Sequence, residues 1–130
     1  MPHLSVAATD EELLQLADSW AALLEGEDYL AAFNYTAHDP HMRWSPDLIR
    51  QVIKSYDECK PGQRVTLHGR ATDIQQRKEV SRWPEPRHGS IGEIWYDLNI
   101  DGCVSDLTAT FDILTDANGL TIQFNDIHVM

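Results

Sequence analysis

The chain has 130 residues, 42% of them hydrophobic, and its 21 acidic side chains outnumber its ten Lys and Arg, giving a formal net charge of −11. This length is sufficient for a domain that buries a core of its own, and we expect a single domain over residues 1–130. Because nucleic acids and anionic membrane surfaces attract cationic proteins, the charge argues against both as partners, and no apolar run approaches the roughly 18 residues that span a bilayer.

The first predicted helix has clear signals at both ends. Thr9 and Glu12 have the spacing of a capping box, and Gly26 is a residue type that commonly ends a helix. Between them, apolar residues recur at helical spacing: Leu13, Leu16, Ala17, Trp20, Leu23 and Leu24. The pattern predicts a helix that buries one face.

Two further helices are predicted before residue 60. A short one covers Asp28–Ala37 and stops ahead of Pro40, because a proline disfavours helical geometry in the residue before it. A longer one begins with Ser45 as its cap and Pro46 as its first residue. Its apolar stripe consists of Ile49, Val52, Ile53 and Tyr56.

The tetrapeptide His38-Asp39-Pro40-His41 lies between these two helices. Two histidines three residues apart on a helix can bind one metal ion, but Pro40 interrupts the helix between them. Asp and Pro are also common turn residues. We therefore interpret the tetrapeptide as a corner, and expect neither a metal nor a cofactor.

The remainder of the chain alternates with a period of two, which predicts an antiparallel sheet. Alternation is visible over residues 64–72 and 92–100, and Asp101-Gly102 predicts a two-residue hairpin that leads into the next strand. A turn at residues 116–119 precedes the last strand. Residues 73–89 have only weak patterning and are predicted as a long loop, with a short strand around Ile74–Trp83 as the alternative. Four of the basic residues lie there: Arg77, Lys78, Arg82 and Arg87.

Three helices followed by a curved antiparallel sheet resemble the nuclear transport factor 2-like, or cystatin-like, superfamily. The local similarity is in "GEIWYDLNIDGCVSDLTATFDI" and "FNDIHVM", which look like small bacterial members with no assigned function. The resemblance implies an α+β cone, in which three N-terminal helices pack on a curved sheet around a pocket. It does not choose a function, because isomerases, cyclases, dehydratases, ligand-binding domains and dimerisation modules share the fold.

The last strand contains the candidate catalytic residues. If the apolar residues from Leu120 to Phe124 face inward, strict alternation also places Asp126 and His128 at the mouth of the cone, where they could transfer protons. The alternative is a β-bulge near Asn125-Asp126, which would return Ile127 and Val129 to the core and turn His128 outward. The predicted wall of the pocket is formed by Tyr29, Phe33, Trp44 and Tyr56.

The polar face of the sheet contains two further candidates. With Asp101-Gly102 as the whole loop, Asp97 is predicted to oppose Asp106, a pair that is either solvated or able to bind a hard cation. A tryptophan on a threonine-rich face is suited to a protein contact. Because members of the resembled superfamily often dimerise through this face, a homodimer is predicted through Trp95, His68, Thr108 and Thr110.

Three functions remain open. The preferred one is a non-catalytic homodimeric domain that binds a small apolar ligand or a partner protein. The second is a small isomerase, dehydratase or cyclase that uses Asp126 and His128, and the third is an acidic inhibitor or immunity-type protein that blocks a basic partner. Cys59 and Cys103 have no CxxC spacing, which is typical of reduced thiols and predicts a cytoplasmic location.

Overall fold

The computed structural model describes residues 1–60 and 62–129, and within them three helices pack on one face of a six-stranded mixed sheet. The predicted α+β class is therefore confirmed. The helices are α1 (Asp10–Glu25), α2 (Tyr29–Tyr35) and α3 (Pro46–Lys54). The strands are β1 (Ala37–His38), β2 (Val65–Thr66), β3 (Lys78–Arg87), β4 (Ser90–Ile100), β5 (Cys103–Asp116) and β6 (Gly119–Val129).

The helix caps are those that the sequence predicts. The Thr9 hydroxyl accepts the backbone N–H of Glu12, the Glu12 carboxylate accepts that of Thr9, and the Ser45 hydroxyl accepts that of Leu48. Helix α2 is shorter than predicted, because the chain becomes extended after Tyr35 and β1 pairs in parallel with β6. The predicted helical geometry of the last two residues of Asp28–Ala37 is thus wrong.

The sheet has the order β1-β6-β5-β4-β2, and β3 shares with β2 the same edge of β4. The strand predicted over residues 64–72 is reduced to Val65–Thr66. Conversely, β3 occupies most of the segment predicted as a loop, and its pairing with β4 is interrupted between Arg82 and Arg87. Two prolines fall in that interruption, where they cannot donate to the ladder.

The core lies between α1 and the inner face of the sheet. Trp20 is fully buried, packs edge-on against Phe111 at 5.0 Å between ring centroids, and stacks on Phe124 at 5.5 Å. The Tyr96 hydroxyl donates a hydrogen bond to Asp18 on α1, so even-numbered residues of β4 face the helices. Burial and the neighbouring carboxylate raise the pKa of Tyr96.

A bulge in β6 decides where the predicted catalytic pair lies. Thr110 pairs with Asp126 and Phe111 with Phe124, so Asn125 is the extra residue. Ile127 consequently returns to the core, and the inward placement of Asp126 and His128 is wrong. The alternative with a bulge is the arrangement found, although Val129, which that alternative placed in the core, is 56% exposed.

A second irregularity shifts β4 against β5. The Asp101-Gly102 loop has the two positive φ angles of the predicted hairpin, 50° and 77°, and the residues beside it pair as expected. Further along, the register moves by two residues, so that Asp97 opposes Thr108 and Trp95 opposes Thr110. The predicted opposition of Asp97 and Asp106 is therefore wrong.

Candidate interaction surface

The face of the sheet opposite to the helices, called the outer face below, is defined by the register of β3 to β6. Residues that oppose each other on antiparallel strands point to the same side. The positions that meet this criterion include the following twelve: Glu79, Ser81, Glu93, Trp95, Asp97, Thr108, Thr110, Asp112, Thr121, Gln123, Asp126 and His128. Five of the twelve are carboxylates and none is Lys or Arg. The Arg77 side chain reaches over this face from the segment before β3, so the face carries more negative than positive charge.

Asp97 is the buried centre of this face. One of its carboxylate oxygens accepts hydrogen bonds from the Trp95 indole N–H at 3.1 Å and from the Thr108 hydroxyl at 2.6 Å. The other oxygen accepts the backbone N–H of Arg77 at 2.8 Å. Buried carboxylate oxygens need such donors, because a buried polar atom without a hydrogen bond is costly. Asp97 thereby fixes the indole ring of Trp95 and attaches the segment before β3 to the sheet.

Trp95 already holds a cation from its own chain. The Arg77 guanidinium lies 4.7 Å from the centroid of the Trp95 ring, and its Nη2 is 3.0 Å from a carboxylate oxygen of Glu79. The guanidinium lowers the pKa of Glu79. Beside the ring lies a cavity of about 310 Å³ whose wall includes Ile74 and Asp106. An aromatic face flanked by carboxylates is a chemistry that binds cations.

Glu93 and Asp112 directly oppose each other on β4 and β5. Both are half-buried. Burial, and to a lesser extent the charge of Asp112, raises the pKa of Glu93. Two like charges at opposed positions repel each other. A cation contributed by a bound partner would therefore reduce the repulsion between these two carboxylates.

The predicted catalytic residues do lie together, but on the outer face. His128 Nδ1 is 3.0 Å from an Asp126 carboxylate oxygen, and the two side chains are 36% and 47% exposed. The His128 ring also meets the ring of Trp95 edge-on, with 6.0 Å between centroids. The pair thus extends the Trp95 surface towards β6.

The predicted dimer residues divide between two places. Trp95, Thr108 and Thr110 belong to the outer face, and both threonines are buried within it. His68 lies in an irregular, exposed segment after β2, where its carbonyl accepts the Thr66 hydroxyl. His68 is therefore not on the strand from which its place on the face was predicted.

The four predicted pocket residues are each engaged in a different contact. Tyr29 is buried in the core, and Phe33 stacks on the ring of His38 at 3.9 Å. The Trp44 indole donates to the carbonyl of Asn125 at 2.9 Å, and the Tyr56 hydroxyl donates to Asp106. A pocket shared by all four stays a prediction.

The His38-Asp39-Pro40-His41 tetrapeptide is a turn, which confirms its interpretation as a corner. The Asp39 carboxylate accepts the backbone N–H of His41 at 2.9 Å, and the Asp39 carbonyl accepts that of Met42. Across residues 1–60 and 62–129, no group of three or more His, Cys, Asp or Glu side chains is placed to hold a metal ion. Within the same ranges, no helix has the length and apolarity to cross a membrane.

Residues 21–130 match a family model described as a domain of unknown function, DUF7668. The chain belongs to the DUF7668 family. No curated protein and no solved structure matches the chain. The arrangement of side chains on the outer face must therefore carry any functional conclusion.

Sequence reasoning missed much of the outer face of this DUF7668 domain. Glu79 lies in the segment predicted as a long loop, with a short strand around Ile74–Trp83 only as the alternative. The opposition of Glu93 and Asp112 is visible only once the shifted register is known. The available signal for β3 was the alternation of Lys78, Val80 and Arg82 with Glu79 and Ser81. Its charged residues obscured that signal, because strands are usually recognised by apolar alternation.

Proposed function

We propose that this DUF7668 domain is a non-catalytic binding domain whose outer face binds a basic segment of a partner protein. The observation that carries the proposal is the contact of Arg77 with Trp95 and Glu79. This contact within the chain shows the chemistry that we expect for a basic side chain of the partner, because an indole face and a carboxylate together bind a guanidinium.

Charge complementarity supports the same partner. Five carboxylates occupy the twelve positions named above. Only Arg77 and Arg87 are described against the indoles of this face, within a chain of net charge −11, so negative charge is in excess. Complementary charge accelerates association and excludes partners of the wrong sign. Blocking a basic partner, as an inhibitor or immunity-type protein does, is one role that such a face serves.

The predicted homodimer through this face is the second candidate. Trp95, half-buried on a sheet with buried threonines, is a suitable anchor for a second copy. A symmetric dimer, however, would bring Glu93 and Asp112 of one copy towards the carboxylates of the other, and like charges at an interface are costly. The balance favours a basic partner over a second copy and over an apolar ligand.

The Asp126–His128 pair keeps an enzyme among the alternatives. Both side chains are partly exposed, and a contact between an exposed carboxylate and an exposed imidazole is weak because water screens it. We infer that the pair serves binding rather than proton transfer.

We further propose a relationship to the cystatin-like superfamily and a cytoplasmic location. The first is supported by three helices on one face of a sheet with bulges in β6 and between β4 and β5. Such bulges curve a sheet. The second is supported by Cys59 and Cys103, which are both free.

The proposal is tested with tetra-arginine amide as the probe, whose affinity is measured by calorimetry at low and at physiological salt. Two double variants are compared, Glu93→Gln with Asp112→Asn on the outer face and Glu11→Gln with Glu58→Gln at exposed sites elsewhere. Both remove two charges. The outer-face variant is expected to weaken binding about tenfold, as is Trp95→Leu, and the control variant to leave it nearly unchanged.

An equal loss in both double variants would show that only net charge attracts the peptide, and would overturn the proposal. Sedimentation of the unliganded protein examines the competing homodimer. A monomer is expected, whereas a dimer that Trp95→Leu dissociates would assign the face to a second copy.

A further inference from the structure

The outer face contains a second cavity, at the end remote from Trp95. Its volume is about 370 Å³, and its wall includes Trp83, Arg87, Asp39 and Asp112. We infer that the partner contributes two basic side chains, one to each cavity. This inference rests on the proposed function and specifies the partner that the face accepts.

The two cavities repeat one chemical arrangement. In the first, Arg77 lies over Trp95 at 4.7 Å, with Asp97 and Asp106 in the wall. In the second, the Arg87 guanidinium lies over the Trp83 ring at 4.6 Å, with the two carboxylates named above in the wall. Each cavity thus includes one indole, one guanidinium and two carboxylates, and the wall of the second also includes His88.

This composition leaves each cavity short of one positive charge. Two carboxylates face a single guanidinium, and Arg77 is additionally shared with Glu79 outside the cavity. A Lys or Arg side chain from a partner would restore neutrality and place its methylene groups against the indole edge. Both volumes are at the lower end of the range for small-molecule sites, roughly 300–1,000 Å³. Cavities of this size suit a single side chain of a partner rather than a larger ligand.

The Trp83 cavity is built into the sheet rather than added by a mobile loop. The Trp83 indole N–H donates to the hydroxyl of Ser90 at 3.2 Å, and that hydroxyl donates to the Gly92 carbonyl at 2.9 Å. Ser90 is itself buried. The chain turns back through His88-Gly89, whose φ angles of 53° and 83° fit a two-residue hairpin. Trp83 is therefore held in place as firmly as Trp95 is by Asp97.

The strand β5 sets the distance between the cavities. Asp106 belongs to one cavity and Asp112 to the other. Six residues of extended strand span at most roughly 20 Å at about 3.3 Å per residue, because the register shift places extra residues of β5 around Asp106. A partner segment in extended conformation would therefore reach both cavities with basic side chains six positions apart, which also point to the same side of that segment.

The inference is tested with three nine-residue peptides of Gly and Ser. One carries Arg at positions 2 and 8, the second carries Arg at positions 2 and 3, and the third carries a single Arg. The spaced peptide is expected to bind at least about ten times more tightly than the adjacent one, because its second contact is intramolecular. Trp83→Leu should remove this advantage without affecting the single-Arg peptide. Trp83→Phe, which keeps an aromatic face, should retain most of it.

The outcomes separate the inference from the proposed function. If the spaced and adjacent peptides bind equally, and both depend on Trp95, the two-cavity inference is overturned and the basic-partner proposal stands. If none of the peptides binds even at low salt, the proposal itself fails. Circular dichroism of the two Trp83 variants shows whether each is folded. If Trp83→Leu does not fold, the comparison of the peptides on the native protein and on Trp83→Phe still tests the inference.

Discussion

The negative charge of Glu93 on the outer face lowers the stability of the folded protein. Its pKa is raised from the ordinary value of 4.5 by burial and by Asp112. A carboxyl group with a raised folded-state pKa contributes stability that is fully present below the unfolded pKa and is lost as pH rises through the folded pKa. At neutral pH the ionised Glu93 therefore weakens the fold.

Replacing that single charge should accordingly stabilise the protein. Glu93→Gln is expected to raise the free energy of unfolding by roughly 0.5 kcal/mol at pH 7, since solvent screens part of the repulsion. Little gain is expected at pH 3.5, where Glu93 is already protonated in both states. Urea unfolding at the two pH values measures the difference, with Glu58→Gln as the control. A gain of the same size at both pH values would contradict the electrostatic explanation.

At the scale of the element, Asp97 attaches the segment between β2 and β3 to the sheet. Besides its side-chain bonds, its backbone N–H donates to the carbonyl of Arg77, and its carbonyl accepts the side-chain amide of Gln76. The segment has no helix or strand over residues 67–77 beyond the single bridge at Arg70. Asn99 and Val104 hold the earlier part of the segment through bonds to Leu67, Arg70 and Thr72. Asp97 therefore fixes chiefly the end of the segment that leads into β3.

Asp97→Ala is therefore expected to cost about 3 kcal/mol or more in the free energy of unfolding, because it leaves the donors of Trp95, Thr108 and Arg77 unpaired. Amide hydrogen exchange should accelerate over residues 74–78 before it does in β5. Glu93→Ala, four positions earlier on the same strand, provides the matched control and should not destabilise. Unchanged protection of residues 74–78 in Asp97→Ala would show that the segment is held by other contacts.

The helices and hairpins illustrate which elements a sequence can predict. The caps Thr9 and Ser45 and the Asp101-Gly102 turn act through neighbours within a few residues, so their pattern is sufficient. Strand β1 and the correct end of α2 depend on pairing with β6, more than 80 positions away along the chain. Such non-local pairing leaves no local signal, and the prediction of a longer helix failed for that reason.

At the scale of the whole molecule, the pairing register of the strands decides which side chains lie together on the outer face. Trp95, Thr108 and Thr110 were assigned to this face from alternation alone, and the structure places them there. Asp126 and His128 joined them only because Asn125 is bulged. The apolar residues Ile127 and Val129 indicated such a bulge, but only as one of two alternatives. The carboxylates around Trp95 come from four strands, so their assembly into one surface could not be read from any single stretch of sequence.

The most direct measurement is a titration of the ¹⁵N-labelled protein with tetra-arginine amide, followed through its four tryptophan indole N–H resonances. The protein contains its own controls, because Trp20 is fully buried in the core and the Trp44 indole is bonded to Asn125. If the outer face binds a basic partner, the indole resonances of Trp95 and Trp83 should shift, while those of Trp20 and Trp44 stay in place. Shifts confined to backbone amides in the acidic first turn of α1, Asp10 to Glu12, with an unmoved Trp95 resonance, would contradict the proposed binding surface.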